Sequence, residues 1–137
     1  MQVAGIQTYQ EVADTSCDAQ GDAVEQTYGV AVDLGTTTIG FALVDLQTKE
    51  VCRTQSRLNT QRSYGADVLS RIQSANEGHE KELRVSVTKD LREGVVQLCG
   101  DLLTQKAIKH IVISGNTTMC HLLRGYSCKT LGVAPFT

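Results

Sequence analysis

The sequence predicts an α/β fold: an antiparallel three-strand meander, then a helical crossover into a fourth strand. Three observations carry this. Apolar, strand-like stretches at about Tyr28–Asp33, Thr38–Asp45 and Val51–Leu58 are separated only by turn residues. Leu83, Val87, Leu91, Val95, Leu98 and Leu102 then recur at the three- and four-residue spacing of one helix face. A short apolar run, His110-Ile111-Val112-Ile113-Ser114, follows and ends in Gly115-Asn116. A right-handed crossover from the meander brings this fourth strand parallel beside the first.

Each element has a local reason. The first strand ends in Asp33-Leu34-Gly35, and three threonines lead straight into the second. Gln47-Thr48-Lys49 turns the chain into the third strand, and Asp45 reads as a turn residue. The third strand alternates weakly and is polar on one side, which places it toward an edge. Residues 59–63 read as a polar loop. Tyr64 to about Ser74 reads as a helix with Val68, Leu69 and Ile72 on one side, and Asn76-Glu77-Gly78-His79 breaks it. Asp67 and Arg71, four apart, suit an ordinary helix ion pair. Glu82, Arg84, Lys89, Arg92 and Glu93 fall mostly off the apolar stripe of the long helix, which is expected to pack on the sheet. Residues 104–109 read as a polar connection and the fourth strand as short and buried. Asn116 or Thr117 can cap a short helix running to about Leu123, with Gly125 stopping it.

Composition bounds the function. A chain of 137 residues, 41% hydrophobic and 20% charged, is about one domain with a sizeable core. The net charge of −2 is unevenly spread. Residues 1–27 hold five acidic side chains and no Lys or Arg, and the remainder has 13 basic against 10 acidic. The opening segment reads as an acidic linker or disordered tail, residues 1–27, ahead of a domain at 28–137. The excess of positive charge in that domain is too small to suggest nucleic acid. No apolar run approaches the roughly 20 residues of a membrane span, and no basic segment with an apolar core opens the chain. Cys17, Cys52, Cys99, Cys120 and Cys128 lack CxxC spacing. An odd, unpatterned set fits a reducing, cytoplasmic setting and argues against a metal cluster held by this chain alone. Cys52 and Cys99 lie in apolar patterns and read as small core residues.

The chemistry concentrates in the first hairpin. Asp33-Leu34-Gly35-Thr36-Thr37-Thr38 combines a carboxylate, a backbone without a Cβ and three hydroxyls. Successive backbone amides in such a turn form an anion-binding concavity, and glycine lets an anion approach closely. Asp33 suits a hard cation such as Mg2+, which prefers oxygen and keeps several waters. Asp-X-Gly is also ordinary hairpin chemistry, and threonine is a good strand former. The run of three threonines directly before a second apolar strand favours the binding reading. After the fourth strand, near where the first hairpin should lie, Asn116 reads first as a helix cap, and His121 as a surface or core residue of a short helix.

The element order with this hairpin resembles the start of the acetate and sugar kinase, heat-shock chaperone and actin superfamily. A narrower resemblance covers residues 28–137. It rests on the segment from Asn59 to Ile72, on Ser114 to Leu123 and on Leu131 to Phe136. These are similar to the C-terminal ATPase domain of the reductive activators of corrinoid proteins, which return Co(II) corrinoids to Co(I) using ATP. Thr60 stands where that family often has proline. The resemblance implies a ribonuclease H-like mixed sheet, the partial first lobe of an actin-like ATPase. It implies ATP and Mg2+ as cofactors, with Asp33 facing the metal through its water shell. Gly35, Thr36, Thr37 and Thr38 would contact the phosphates, and Gly115 and Asn116 would face the cleft. A [2Fe–2S] cluster is expected only in a domain outside this chain. The expected partner of the complete protein is a corrinoid iron–sulfur or methyltransferase protein. A second phosphate loop and an adenosine loop do not follow, so the chain is expected to be a fragment with half a cleft, inactive alone and prone to self-association. A sugar-kinase lobe and an actin-like filament or cell-division ATPase are the alternatives.

Overall fold

The structure, a computed structural model, describes residues 25–131. Strands β1 (Tyr28–Leu34), β2 (Thr38–Asp45), β3 (Val51–Leu58) and β4 (Ile108–Gly115) form one mixed sheet in the order β3-β2-β1-β4. β1 and β2 pair antiparallel with Leu34 opposite Ile39, β2 and β3 pair antiparallel, and β4 lies parallel to β1. The expected meander and crossover are both present. The acidic segment expected to be a tail falls almost wholly outside the described residues, as does most of Leu131–Phe136.

The helices α1 (Val68–Ser74), α2 (Glu80–Cys99), α3 (Asp101–Thr104) and α4 (Thr117–Arg124) follow β3 and β4 in chain order. The core forms where alternate residues of β1 and β2 meet the stripe of α2. Val30, Val32, Leu34, Ile39, Phe41 and Leu43 are buried with Leu83, Val87, Leu91 and Leu98, and Met119 and Leu122 of α4 join them. At about 25 cal/mol per Å2 of apolar area removed from water, this burial is the main driving force of the fold. Gly94 lets α2 approach the sheet: a Cβ there would overlap the Phe41 ring. Three β3 side chains close the same seam. Arg53 donates to the Leu98 carbonyl at 3.2 Å, Gln55 donates to the Gly94 carbonyl, and Arg57 pairs with Glu93 at 2.6 Å. Cys52, Cys99 and Cys128 are buried, and burial raises the pKa of Cys99 and Cys128. The opposite face of β1, β2 and β4, with Ala31, Asp33, Gly40 and Ser114, is not covered by the helices.

Four expectations need correction. Residues 59–63 are not a polar surface loop: Asn59 and Gln61 are buried, and Thr60–Ser63 form a 3-10 turn. Their amides and carbonyls are used inside the protein. The first helix begins at Val68 rather than Tyr64, because Asp67 caps it by accepting from the Ser70 amide at 2.8 Å. Gly78, at φ 108°, sets the kink before α2. The fourth strand is longer than His110–Ser114 and is not buried: Ile111 is 50% and Val112 65% exposed. Its apolar residues suggested burial, but it lies at the edge of the sheet, beyond the helix layer. Part of the 104–109 connection is therefore strand, and α3 fills residues 101–104.

Candidate functional site

The turn between β1 and β2 is built from behind. Gly35 is required there sterically: its φ is ordinary, but a Cβ would overlap the Thr38 carbonyl oxygen. The Gly35 amide closes the turn on the Thr38 carbonyl at 3.1 Å. Three successive carbonyls are then tied inward. The Asn59 side chain donates to the Gly35 carbonyl at 2.9 Å, Arg71 donates to the Thr36 carbonyl at 2.6 Å, and the Asn59 amide donates to the Thr37 carbonyl at 2.9 Å.

A planar trans peptide points its C=O and its N–H in opposite directions. Turning the Gly35 and Thr36 carbonyls inward therefore turns the Thr36 and Thr37 amides outward. Neither amide has an acceptor among the described residues. The Thr36, Thr37 and Thr38 hydroxyls likewise bond to no other described residue, and among the described residues Thr54 holds the one buried side-chain polar atom left unpaired. Two free, adjacent amides rimmed by hydroxyls are the makings of an anion site.

Asp33 lies across β1 and β2 from Gly40 and beside Ser114 on β4, on the uncovered face. It is exposed, and its carboxylate makes no hydrogen bond or ion pair with another described residue. Thr38, one residue before the buried Ile39, shares that face. A carboxylate free of partners beside an anion-receptive turn fits Mg2+, which takes one or two carboxylates together with phosphate oxygens and water. No group of three or more potential metal ligands occurs among the described residues, so a metal here would depend on its waters and on the anion.

β4 delivers the other two expected site residues to the same end of the sheet. Gly115 pairs with Leu34, and a Cβ on it would crowd the Leu34 carbonyl at 3.0 Å. Asn116 follows, and its side-chain oxygen accepts from the Met119 amide at 2.9 Å, capping α4. The cap reading of Asn116 is thus the one seen. His121 turns away, contacting the Ser127 carbonyl at 3.1 Å and the Tyr126 ring edge.

Sequence reasoning missed the three residues that shape the turn. Asn59, Gln61 and Arg71 are all buried, Arg71 completely. The expected Asp67–Arg71 ion pair does not form. Asp67 turns to the start of its helix, where the Ser70 amide and hydroxyl bond it and hold its carboxyl below the usual range. Arg71 turns inward. Burial pulls its pKa down, opposed by the charge of Asp67, though a guanidinium stays protonated in proteins. The signal available was the density of amide side chains and glycine between residues 59 and 65, which suits a folded-in segment as well as a loop.

The fold and this turn define a class: a mixed α/β sheet with, at one end, a hairpin whose carbonyls are bonded inward and whose Thr36 and Thr37 amides have no acceptor among the described residues. Residues 28–137 match the family described as the RACo middle region, and the chain belongs to that family. It is 38% identical over 112 residues to "Corrinoid activation enzyme RamQ" of Eubacterium limosum, covering 80% of this chain and 19% of that protein. It also superposes on a solved structure titled "Reductive activator for corrinoid,iron-sulfur protein", with a TM-score of 0.78 and 36% identity over 85% of this chain and 19% of the other. The chain thus spans about one fifth of the length of these relatives. The family description assigns the match to a middle region, where the sequence resemblance suggested a C-terminal domain.

Proposed function

We propose that this chain is part of the ATP-binding domain of an ATP-dependent reductive activator of a corrinoid protein, and that it contributes the first phosphate loop. The observation that carries this is the Gly35–Thr37 turn, whose carbonyls are bonded inward and whose amides at Thr36 and Thr37 are free. The names of the relatives support the corrinoid side of the reading.

In this reading the four strands begin the first lobe of an actin-like, ribonuclease H-like ATPase. The Thr36 and Thr37 amides and the Thr36–Thr38 hydroxyls hold phosphate oxygens, and Asp33 holds Mg2+ through its waters. Bound Mg2+ would neutralise charge on the phosphates. Gly115 and Asn116 form the neighbouring wall. Catalysis by such a site rests on positioning and charge stabilisation rather than on a covalent intermediate. The complete protein takes its electron from an iron–sulfur domain outside this chain and delivers it to a corrinoid iron–sulfur or methyltransferase protein in the cytoplasm. The names of the relatives favour this over the sugar-kinase and filament alternatives.

The test uses the complete protein, a Co(II) corrinoid protein and a reductant. Addition of ATP is expected to restore the Co(I) absorbance. No ATP-dependent change, with phosphorylation of a sugar instead, would refute the reading.

A further inference from the structure

Among the described residues, Arg71 is the largest fully buried side chain. Its fork reaches four acceptors. The ε N–H donates to the Gly65 carbonyl at 2.8 Å. One terminal nitrogen faces the Gln61 side-chain oxygen and the Met119 sulfur, each at 3.4 Å. The other donates to the Thr36 carbonyl at 2.6 Å. All four acceptors are neutral, and no carboxylate among the described residues lies within ion-pair distance.

That arrangement is costly on its own. A buried charge with no carboxylate in ion-pair distance loses hydration that neutral acceptors repay only in part, and the more distant charge of Asp67 offsets less than the burial costs. Packing alone would be served as well by a neutral side chain of similar length, such as methionine. The cost is rational if a negative charge arrives on the far side of the peptide that Arg71 holds. The same hydrogen bond fixes the Thr36 carbonyl, and so the outward aim of the Thr37 amide.

We propose that Arg71 is a positioning residue for the anion-binding turn: it locks the Thr36 peptide amide-outward and supplies the buried positive charge behind it. The proposal rests on the phosphate-loop reading and deepens it. Gln61 and Asn59 serve as its frame. The Gln61 side chain donates to the Leu83 carbonyl of α2 at 2.9 Å, and the Gln61 amide donates to the Asn59 side chain at 3.0 Å. Arg71 therefore also ties the turn to the exposed Tyr64–Asp67 segment through Gly65.

The test is an NMR titration of the 137-residue chain with inorganic pyrophosphate. In the wild type, the Thr36 and Thr37 amide resonances are expected to move saturably at millimolar concentration, and the Arg71 Nε–H resonance to move with the same midpoint. Arg71→Met is expected to weaken binding at least tenfold, about 1.4 kcal/mol, while the α2 amides keep their dispersion. Arg71→Lys keeps the charge but not the fork and is expected to recover only part of the loss. If pyrophosphate leaves the wild-type Thr36 and Thr37 amides unmoved, the phosphate-loop reading and the proposal fall together. If those amides move while the Arg71 Nε–H stays still, or Arg71→Met binds unchanged, the proposal alone falls. The wild-type Nε–H signal decides the matter even if Arg71→Met does not fold.

Discussion

At the residue scale the turn depends on one atom that is missing. A Cβ at residue 35 would collide with the Thr38 carbonyl, which is the acceptor that closes the hairpin. The neighbour is backbone and cannot swing aside. Gly35→Ala is therefore expected to cost about 1–3 kcal/mol, the usual range for forced overpacking, read as a lower urea midpoint. Asp33 is the opposite case. Its side chain is exposed and bonds to no described residue, so Asp33→Asn is expected to change stability by no more than about 0.5 kcal/mol while abolishing the Mg2+ dependence of nucleotide binding in the complete protein. A change in stability with Mg2+ dependence intact would assign Asp33 to the fold instead. Asp67 adds a pH dependence. The Ser70 amide and hydroxyl lower its folded-state pKa below the model-peptide value of 3.8. The unfolded chain then binds the proton more tightly, so the stability from this cap is present above that value and is lost as pH falls through the lower folded pKa. The stability gap between wild type and Asp67→Ala, from urea unfolding, is expected to be wide at pH 7 and narrower at pH 3.

At the element scale, α2 decides how the sheet is covered. Its stripe meets β1 and β2 over Gly94, and Arg53, Gln55 and Arg57 seal the β3 side. Gly94→Ala is expected to cost about 1–3 kcal/mol by driving the Phe41 ring from its place, in contrast to the usual helix-propensity gain on replacing an exposed glycine. A stabilised Gly94→Ala variant in thermal unfolding would refute this packing. These elements were legible in the sequence where one rule acted alone. The Leu83–Leu98 spacing placed the covering helix, and the limits of β2 and β3 followed from apolar runs between turn residues. The connection at 59–71 was not legible, because burial there is satisfied by polar partners far away in sequence. Asn59 bonds Gly35, Gln61 bonds Leu83, and Arg71 bonds Thr36. Periodicity cannot see such pairs, so an arginine four residues after an aspartate read as a surface ion pair. β4 failed only in its burial: its place beside β1 at the edge of the sheet was expected, but Ile111-Val112-Ile113 looks like a buried strand and is largely exposed.

At the scale of the whole molecule, two consequences follow from a site at one end of an open sheet. On the proposed reading the described residues supply one wall of a cleft, so the isolated chain is expected to bind MgATP more weakly than micromolar. Calorimetry showing micromolar binding would overturn the view that a second wall is needed. The other consequence concerns β4. On its inner side it pairs with β1, and no described strand pairs with its outer side. Its N–H and C=O groups there are available to another chain, and edges of this kind recruit partners. The side chains add to the tendency. Val112 projects from the uncovered face, while Ile111 and Ile113, although on the helix side, remain 50% and 37% exposed. Natural edges are commonly blunted by lysine or proline, and the outer strand offers Lys109 and His110 only at its start. The isolated chain is therefore expected to self-associate by pairing β4 with β4 of a second copy. Sedimentation velocity should show a rising weight-average coefficient with concentration. Val112→Lys, which puts a charge on the exposed edge without touching the core, should return the chain to a monomer. Wild-type chain that sediments as a monomer at every concentration would show that this edge is protected. Association that persists undiminished in Val112→Lys would place the contact elsewhere.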